Sequence, residues 1–458
     1  MSQQQDVVEA TNADTSSLWN NLDFLRLLFG RFVTNAGDSL YTIAGTWLVY
    51  DLTGSSFYTG LASALLLLPP ALQFVSGPLV DRWPLIRTLV WTQLAQAVLI
   101  LSIPVAAYFD RLSVGLVLVT IPLLSFLNQF VYPAQNAALP RIVAKTQLTR
   151  ANSAFSFANQ GTNMVFDALG GVLIAVVGAV SLFVLDSITF VVTVLSFVGV
   201  RVPERSDTGD QEAEIDVSGY LSDLRDGVQW LRGTVFTEMM LTTAVTNFGT
   251  GIMLAVLPGF ATIRGGSILY GALLGAIGAG GLIGALITSR LSHIRYGTIR
   301  IIGLGVGFFL WIGAVYSPWP VLTVVLFAIT GIPIGVTNVM SQTLIQTVTP
   351  EDLLGRVTSV DASVSTLTVP IGSFIGGVLG SVVGVVTTMA VIYSLRDGTR
   401  RKRRSRSSKV SRGHTKGSNS RGSSRPTSTI SRLSPSRRHR PTRHDPSGDP
   451  RHRCPLDA

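Results

Sequence analysis

Leu169-Gly-Gly-Val-Leu-Ile-Ala-Val-Val-Gly-Ala-Val180 returns 206 residues later as Ile375-Gly-Gly-Val-Leu-Gly-Ser-Val-Val-Gly-Val-Val386, eight of the twelve positions being identical. Upstream, Arg150 and Ser153 recur in register as Arg356 and Ser359, and 11 of 31 residues match over 150–180. A second echo, Val33-Thr34-Asn35 then Gly37, recurs as Val245-Thr246-Asn247 then Gly249 at an offset of 212. A fixed long period marks a duplicated structural unit, and this one is too long for a solenoid repeat. The chain reads as two homologous halves of roughly 200 residues.

Composition says what solvent those halves meet. Of 458 residues, 47% are hydrophobic and 14% charged, and the mean hydropathy is +0.43. Stretches of about 20 mainly apolar residues, enough to cross roughly 30 Å of hydrocarbon as helix, follow one another near 23–50, 56–79, 85–108, 113–134, 151–177 and 180–200. The second half repeats the series near 236–262, 268–290, 298–317, 319–345 and 356–381, with a stub at 383–395. The fold class this predicts is an all-α membrane protein of two pseudo-symmetric six-helix bundles, the last helix truncated or aberrant. Residues 1–21 are polar and mildly acidic, without the basic start and apolar core of a cleavable signal. They read as a cytoplasmic tail before the bundle at 22–200.

The formal charge of +10 has to be divided. Residues 396–458 hold 19 basic and 4 acidic residues, leaving 17 basic and 22 acidic residues in the body. Breaks after even-numbered spans carry thirteen Arg or Lys, among them Arg82, Arg87, Arg150 and Arg356, while the opposite breaks carry Arg111 and Arg264. That bias places the N-terminus in the cytoplasm and the chain in the cell membrane. The linker 201–235 then lies in the cytoplasm between the first bundle and the second at 236–395, and Leu221, Leu224, Val228 and Leu231 share one face of a short amphipathic helix within it. Cys454 is the single cysteine and His293 the one histidine outside the tail. An internal disulfide is excluded, and neither a metal site nor another cofactor is expected in the body.

Two six-helix halves joined by a cytoplasmic linker suggest a secondary transporter. The loop Gly77-Pro78-Leu79-Val80-Asp81-Arg82-Trp83-Pro84-Leu85-Ile86-Arg87 resembles the signature loop of the major facilitator superfamily, with Pro84 where a glycine is commoner. Gly30-Arg31 through Asn35-Ala-Gly37-Asp38, Trp47-Leu-Val-Tyr50-Asp-Leu-Thr-Gly-Ser55, Pro133-Ala-Gln-Asn-Ala-Ala-Leu-Pro140 and Leu148-Thr-Arg-Ala-Asn152 resemble its macrolide-efflux and enterobactin-exporter type of drug:proton antiporter. The resemblance covers about 22–392. It implies alternating access and export of a drug-like or siderophore-like molecule driven by protons. It also gives Gly77, Asp81, Arg82 and Arg87 as a gating loop, and Gly170, Gly171, Gly376 and Gly377 as packing glycines. The sequence departs from the pattern at Phe166-Asp167, where many antiporters have Gly-Pro, and no Arg lies inside the fourth predicted span.

An ionisable side chain at bilayer depth is a functional hypothesis by default. Asp38 lies near the middle of the first span and Asp167 near that of the fifth. Each can take a proton from one side and release it to the other, or contact substrate; the plainer readings are local bonds from Asp38 to Ser39 or Thr42, and from Asp167 to Asn163. Asp186 reads as a rim or packing residue before a functional one. Asp361, five residues after Arg356, fits a gate with Arg356 or Asp81, to which Arg150 also belongs. Amides inside apolar spans, including Asn35, Asn163 and Asn247, must find partners and either line a cavity or join helices.

After Leu395 the apolar character stops, and 396–458 has a disordered, basic composition. It reads either as a polybasic strip for anionic lipid or nucleic acid, with no stable nucleic-acid partner expected, or as a departure of the reading frame near 393. A proton-coupled exporter, monomeric and facing a small-molecule substrate, protons and lipid, leads the functional readings. A facilitator or symporter of the same fold is the alternative, and a non-transporting scaffold acting through the tail a remote one. The sequence holds no Gly-x-x-x-x-Gly-Lys-Ser/Thr loop for an ATP-driven pump, and nothing in it suggests an enzyme.

Overall fold

The computed structural model describes residues 18–71, 84–202, 235–291, 293–349 and 351–392. The predicted gating segment Gly77–Arg82, the linker's amphipathic helix and the basic tail lie outside them. The first half contains α1 (Leu22–Thr53), α2 (Ser56–Ala71), α3 (Leu85–Ile100, continued by Ser102–Tyr108), α4 (Val114–Ile142), α5 (Leu148–Val177) and α6 (Ala179–Val198). The second contains α7 (Val235–Arg264), α8 (Gly266–Leu291), α9 (Tyr296–Tyr316), α10 (Pro320–Val348) and α11 (Glu351–Val383), then α12 over 385–392.

Nine of the described helical spans are long and apolar enough to cross a bilayer. α1 is long but more polar, carrying Arg31, Thr34, Asn35 and Asp38. Arg31, Thr34 and Asn35 are buried against neighbouring helices, which is how such residues are tolerated in hydrocarbon. Asn21 caps α1 by accepting from the amides of Asp23 and Phe24, and its own Nδ2 donates to the Ile142 carbonyl at 2.9 Å. This ties the start of α1 to the end of α4. α4 runs past the predicted end at 134 because Gln135, which ends the apolar run, is itself buried against α1.

The duplication is visible in the turns. Gly54, Gly178, Gly266 and Gly384 all have positive φ, from 60° to 88°, the left-handed region a glycine enters without steric penalty. Gly54 follows α1 and Gly266 opens α8 at the 212 offset; Gly178 and Gly384 follow α5 and α11 at the 206 offset. All four lie at the same end of the bundles.

Helices α2 and α5 of the first half pack on α11 and α8 of the second. The twin glycine pairs sit at these seams in equivalent ways. A Cβ on Gly271 would fall 2.6 Å from the Gly171 nitrogen, and one on Gly60 would fall 2.5 Å from the Gly377 Cα. The other member of each pair faces its own half, Gly170 against Ile43 of α1 and Gly376 against Ile252 of α7. Close backbone approach at small residues is how helices associate where lipid competes on equal apolar terms. These approaches gather near the end that bears the four glycine turns.

α12 begins docked on α9. Met389 and Ile392 are buried, and the Trp311 indole N–H donates to the Met389 carbonyl at 2.7 Å. α5 is an uninterrupted helix through Phe166-Asp167, so the departure from Gly-Pro leaves it without a proline break.

Candidate functional site

The first half encloses a polar network around α1. Asp38 accepts from Asn128 Nδ2 of α4 at 2.7 Å through Oδ2, while its Oδ1 is buried with no partner. The Tyr132 hydroxyl, one turn along α4, lies 2.6 Å from Asn35 Oδ1 and 3.5 Å from Asp38 Oδ2. The Tyr132 ring lies 5.0 Å from the Arg31 guanidinium, which also stacks 4.8 Å from the Phe155 ring of α5. Arg31 Nη1 donates to Gln135 Oε1 at 3.1 Å and Asn136 Oδ1 at 3.2 Å, and its Nε is buried without a partner.

Among the described residues no carboxylate lies within ion-pair distance of Arg31. Its buried charge is met by amide oxygens and two ring faces, each face being worth about 2 kcal/mol once desolvated. Seven residues separate Arg31 from Asp38, two turns on one face of α1 or roughly 10 Å along the axis. Tyr132 fills the gap between the buried cation and the acid.

On α5, Asp167 lies beside Asn163 and Asn159. Ser39 of α1 donates to Asn163 Oδ1 at 3.2 Å and is also within reach of Asp167, and Asn163 donates to Asn159 at 3.3 Å. Each carboxylate thus has an asparagine one turn earlier on its own helix, and one hydroxyl lies within reach of both side chains. Asp186 of α6 is fully buried behind α1. Its Oδ1 accepts from Thr189 at 2.7 Å and its Oδ2 has no partner. Gly37 leaves the space this carboxylate occupies, since a Cβ there would overlap Asp186 and Thr189. Asp186 therefore packs against α1 rather than on a rim.

At the glycine-turn end α1 reaches across to the second half. The Thr46 and Tyr270 hydroxyls are 2.7 Å apart, Trp47 lies 5.6 Å from the Tyr270 ring, and Tyr50 packs on Gly259. A groove of about 1050 Å³ opens between α1 and α5, with Phe29, Phe32, Phe157, Val165 and Leu282 in its wall. It lies on the face of α5 away from Asn163 and Asp167, and no ionisable group lines it.

These features are an intramembrane acid network in the first half, a symmetric glycine seam between halves and a bridge from α1 to α8. Residues 27–373 match the family described as Major Facilitator Superfamily. The chain belongs to the major facilitator superfamily. The multidrug efflux pump Tap of Mycolicibacterium fortuitum is 25% identical over 383 residues, covering 80% of this chain and 91% of that protein. Macrolide efflux protein A of Streptococcus pyogenes is 24% identical, covering 80% of this chain and 92% of the relative. The fold is shared with a bacterial homologue of the lysosomal transporter Spinster in an inward-facing, occupied conformation, at a TM-score of 0.64 and 13% identity, over 83% of this chain and 95% of that one. It is shared too with a bacterial homologue of the iron transporter ferroportin in an inward-facing state, at 0.59 and 17%, covering 83% and 98%. A major facilitator transporter acts on a small-molecule substrate, and efflux pumps are among this one's relatives.

The predicted residues of this major facilitator protein do not all converge. Asp38 and Asn35 of α1 and Asp167 and Asn163 of α5 lie on polar networks that meet α1, with Asp186 behind it. Asn247, the twin of Asn35, instead donates to the Ser365 carbonyl of α11 at 3.1 Å. Asp361 is 3.5 Å from Gln342 of α10. Its suggested partners Asp81 and the Arg356 side chain are outside the described residues, as are Gly77 and Arg82. Arg87 and Arg150 are exposed near the starts of α3 and α5. Arg31 and Tyr132 are not among the predicted residues, yet both join this network. No arginine lies inside the fourth predicted span, yet α4 extends to include Arg141 and receives the Arg31 charge from α1.

Proposed function

We propose that this major facilitator transporter exports a drug-like or siderophore-like molecule from the cytoplasm by proton antiport with alternating access. The observation that carries the reading is Asp38, an acid in the middle of α1 with one oxygen unpartnered and, among the described residues, no cation in contact. Keeping a charged group at that depth costs about 3 kcal/mol even on insertion scales. A proton that binds and leaves is a reason to keep it. Asp167, similarly placed beside an amide and a hydroxyl, is the second proton or substrate contact.

Orientation supports export. The arginine bias puts the N-terminus in the cytoplasm, so the end joined by the glycine turns, Tyr270 and Thr46 faces outward, and with that end closed the acids release protons to the inside as cargo enters from the same side. The multidrug and macrolide efflux proteins among the relatives support the same cargo class.

The test uses inverted membrane vesicles with an imposed acid interior and a panel of lipophilic cations, macrolides and siderophores. At least one compound dissipates the pH gradient as it accumulates, and Asp38→Asn abolishes both signals while the protein remains folded. Uptake that stops at equilibration and is indifferent to the gradient would make the protein a facilitator instead.

A further inference from the structure

The hydroxyl of Tyr132 has two acceptors in reach and one proton to give. At 2.6 Å from Asn35 Oδ1 and 3.5 Å from Asp38 Oδ2, it now serves the amide. Asp38 keeps one bond, from Asn128. A carboxylate that has lost its proton draws donors more strongly and at shorter range than an amide oxygen does. Closing 3.5 Å to a charge-assisted O–H···O⁻ bond takes a shift of less than about 1 Å. The tyrosine ring is meanwhile held beside the Arg31 guanidinium, 5.0 Å away, which leaves small tilts of the ring and rotation of the hydroxyl as its freedom.

We infer that Tyr132 is the positioning residue of the proton site, its hydroxyl turning its hydrogen bond from Asn35 to Asp38 when Asp38 ionises and back to Asn35 when Asp38 is protonated. The inference rests on the proposed proton-coupling role of Asp38 and names the group that reads its state. Because Tyr132 also abuts Arg31, and Arg31 binds Gln135 and Asn136 further along α4, a proton arriving at Asp38 is felt two turns away along α1. The ionisable groups around this site are few. Arg31 and Tyr41 share α1 with Asp38, Tyr132 faces it from α4, and Asp186 stands behind it on α6. Asp167 of α5 is reached through Ser39, and Tyr270 of α8 through Thr46.

Two substitutions act on the two acceptors in opposite senses. Tyr132→Phe removes the donor, so the ionised acid loses support and the proton stays to higher pH. Asn35→Leu removes the competing acceptor, so the hydroxyl is free for the carboxylate and the proton leaves at lower pH.

The full-length purified protein is titrated by infrared difference spectroscopy, without substrate, and the protonated-carboxyl band of Asp38 is identified by its loss in Asp38→Asn. The band midpoint moves up by roughly one pH unit in Tyr132→Phe and down in Asn35→Leu, about what one hydrogen bond to a charged group contributes. Thermal unfolding confirms that both variants fold, and Asn128→Leu, which also removes a donor to Asp38, moves the midpoint in the same sense as Tyr132→Phe. Midpoints that stay put, or that move the same way in Tyr132→Phe and Asn35→Leu, overturn the role of Tyr132 while leaving Asp38 as the proton site. A band unchanged by Asp38→Asn overturns both.

Discussion

The two halves share a scaffold and differ in chemistry. At the offsets that relate them, Asp38 of α1 corresponds to Thr250 of α7, Arg31 to Thr243, Asp167 of α5 to Ser373 of α11, and Asp186 of α6 to Ile392 of α12. Each of these four charges has a hydroxyl or a hydrocarbon as its twin. The glycines behave otherwise: the seam pairs and the four turn glycines are kept in both halves and make equivalent approaches. Each half also binds itself differently. α4 joins α1 through Asn128, Tyr132, Gln135 and Asn136, whereas α10 joins α8 through backbone approach at Gly331 and Gly335. Duplication thus preserved what shape requires. The charges at Arg31, Asp38, Asp167 and Asp186, which lipid penalises in either copy, stand in one.

The comparison is most exposed to a paired substitution at the first of these twins. Asp38→Asn should lower gradient-driven transport by at least about tenfold, a loss of more than roughly 1.4 kcal/mol of coupling, and Thr250→Ala should leave it within about twofold. Thr250 bonds the Thr246 carbonyl of its own helix, a contact with little bearing on the other half. Equal losses in transport assays of reconstituted protein would mean that both halves carry the chemistry.

The glycine seam should respond symmetrically. Gly271→Val and Gly60→Val each drive a side chain into the backbone of the opposite half. Overpacking of this kind costs about 1–3 kcal/mol, read as a lowered Tm in detergent for both variants. A large effect at one seam alone would show that the halves are joined unequally.

How much of this the chain disclosed beforehand depended on the signal each residue leaves. Gly170-Gly171 and Gly376-Gly377 were legible because duplication wrote them twice at a constant offset. Asp38 and Asp167 stood out because an acid inside an apolar run has no ordinary reason to be there. Arg31 meets the same test and lies on the same face as Asp38, but it sits nearer the start of α1, where long basic side chains usually reach out to water. Tyr132 left no signal, since tyrosine is common in apolar helices and its partners are about 95 residues away in the chain. Asp186 was read as a rim or packing residue. Its place behind α1 depends on the absent side chain of Gly37, which one span cannot reveal about another.

A smaller effect should come from the bridge between α1 and α8. Tyr270→Phe removes the hydroxyl pairing with Thr46 but leaves the ring against Trp47. A neutral hydrogen bond contributes about 1 kcal/mol net, so the closed form of the glycine-turn end should lose roughly fivefold in population relative to the open one. Labelling of a cysteine placed near Thr53, in a Cys454→Ser background, would report it as faster modification. Unchanged labelling would leave the glycine seams alone responsible for closure.

Ser373→Ala should do least, and it divides the halves most finely. Ser373 is the twin of Asp167, is fully buried, and its hydroxyl has no hydrogen-bond partner. Its backbone meets Gly60 and Gly251, so its position matters to packing although its oxygen does not. Removing a buried polar atom that bonds to nothing is neutral or slightly stabilising, so Tm should hold or rise and transport should stay within about twofold. Asp167→Asn, the same structural position in the other half, should by contrast alter the pH dependence of transport while sparing Tm. A loss of more than about 1 kcal/mol for Ser373→Ala would mean that this hydroxyl has a partner in another conformation of the cycle. The second half would then carry polar chemistry that appears when the glycine-turn end opens.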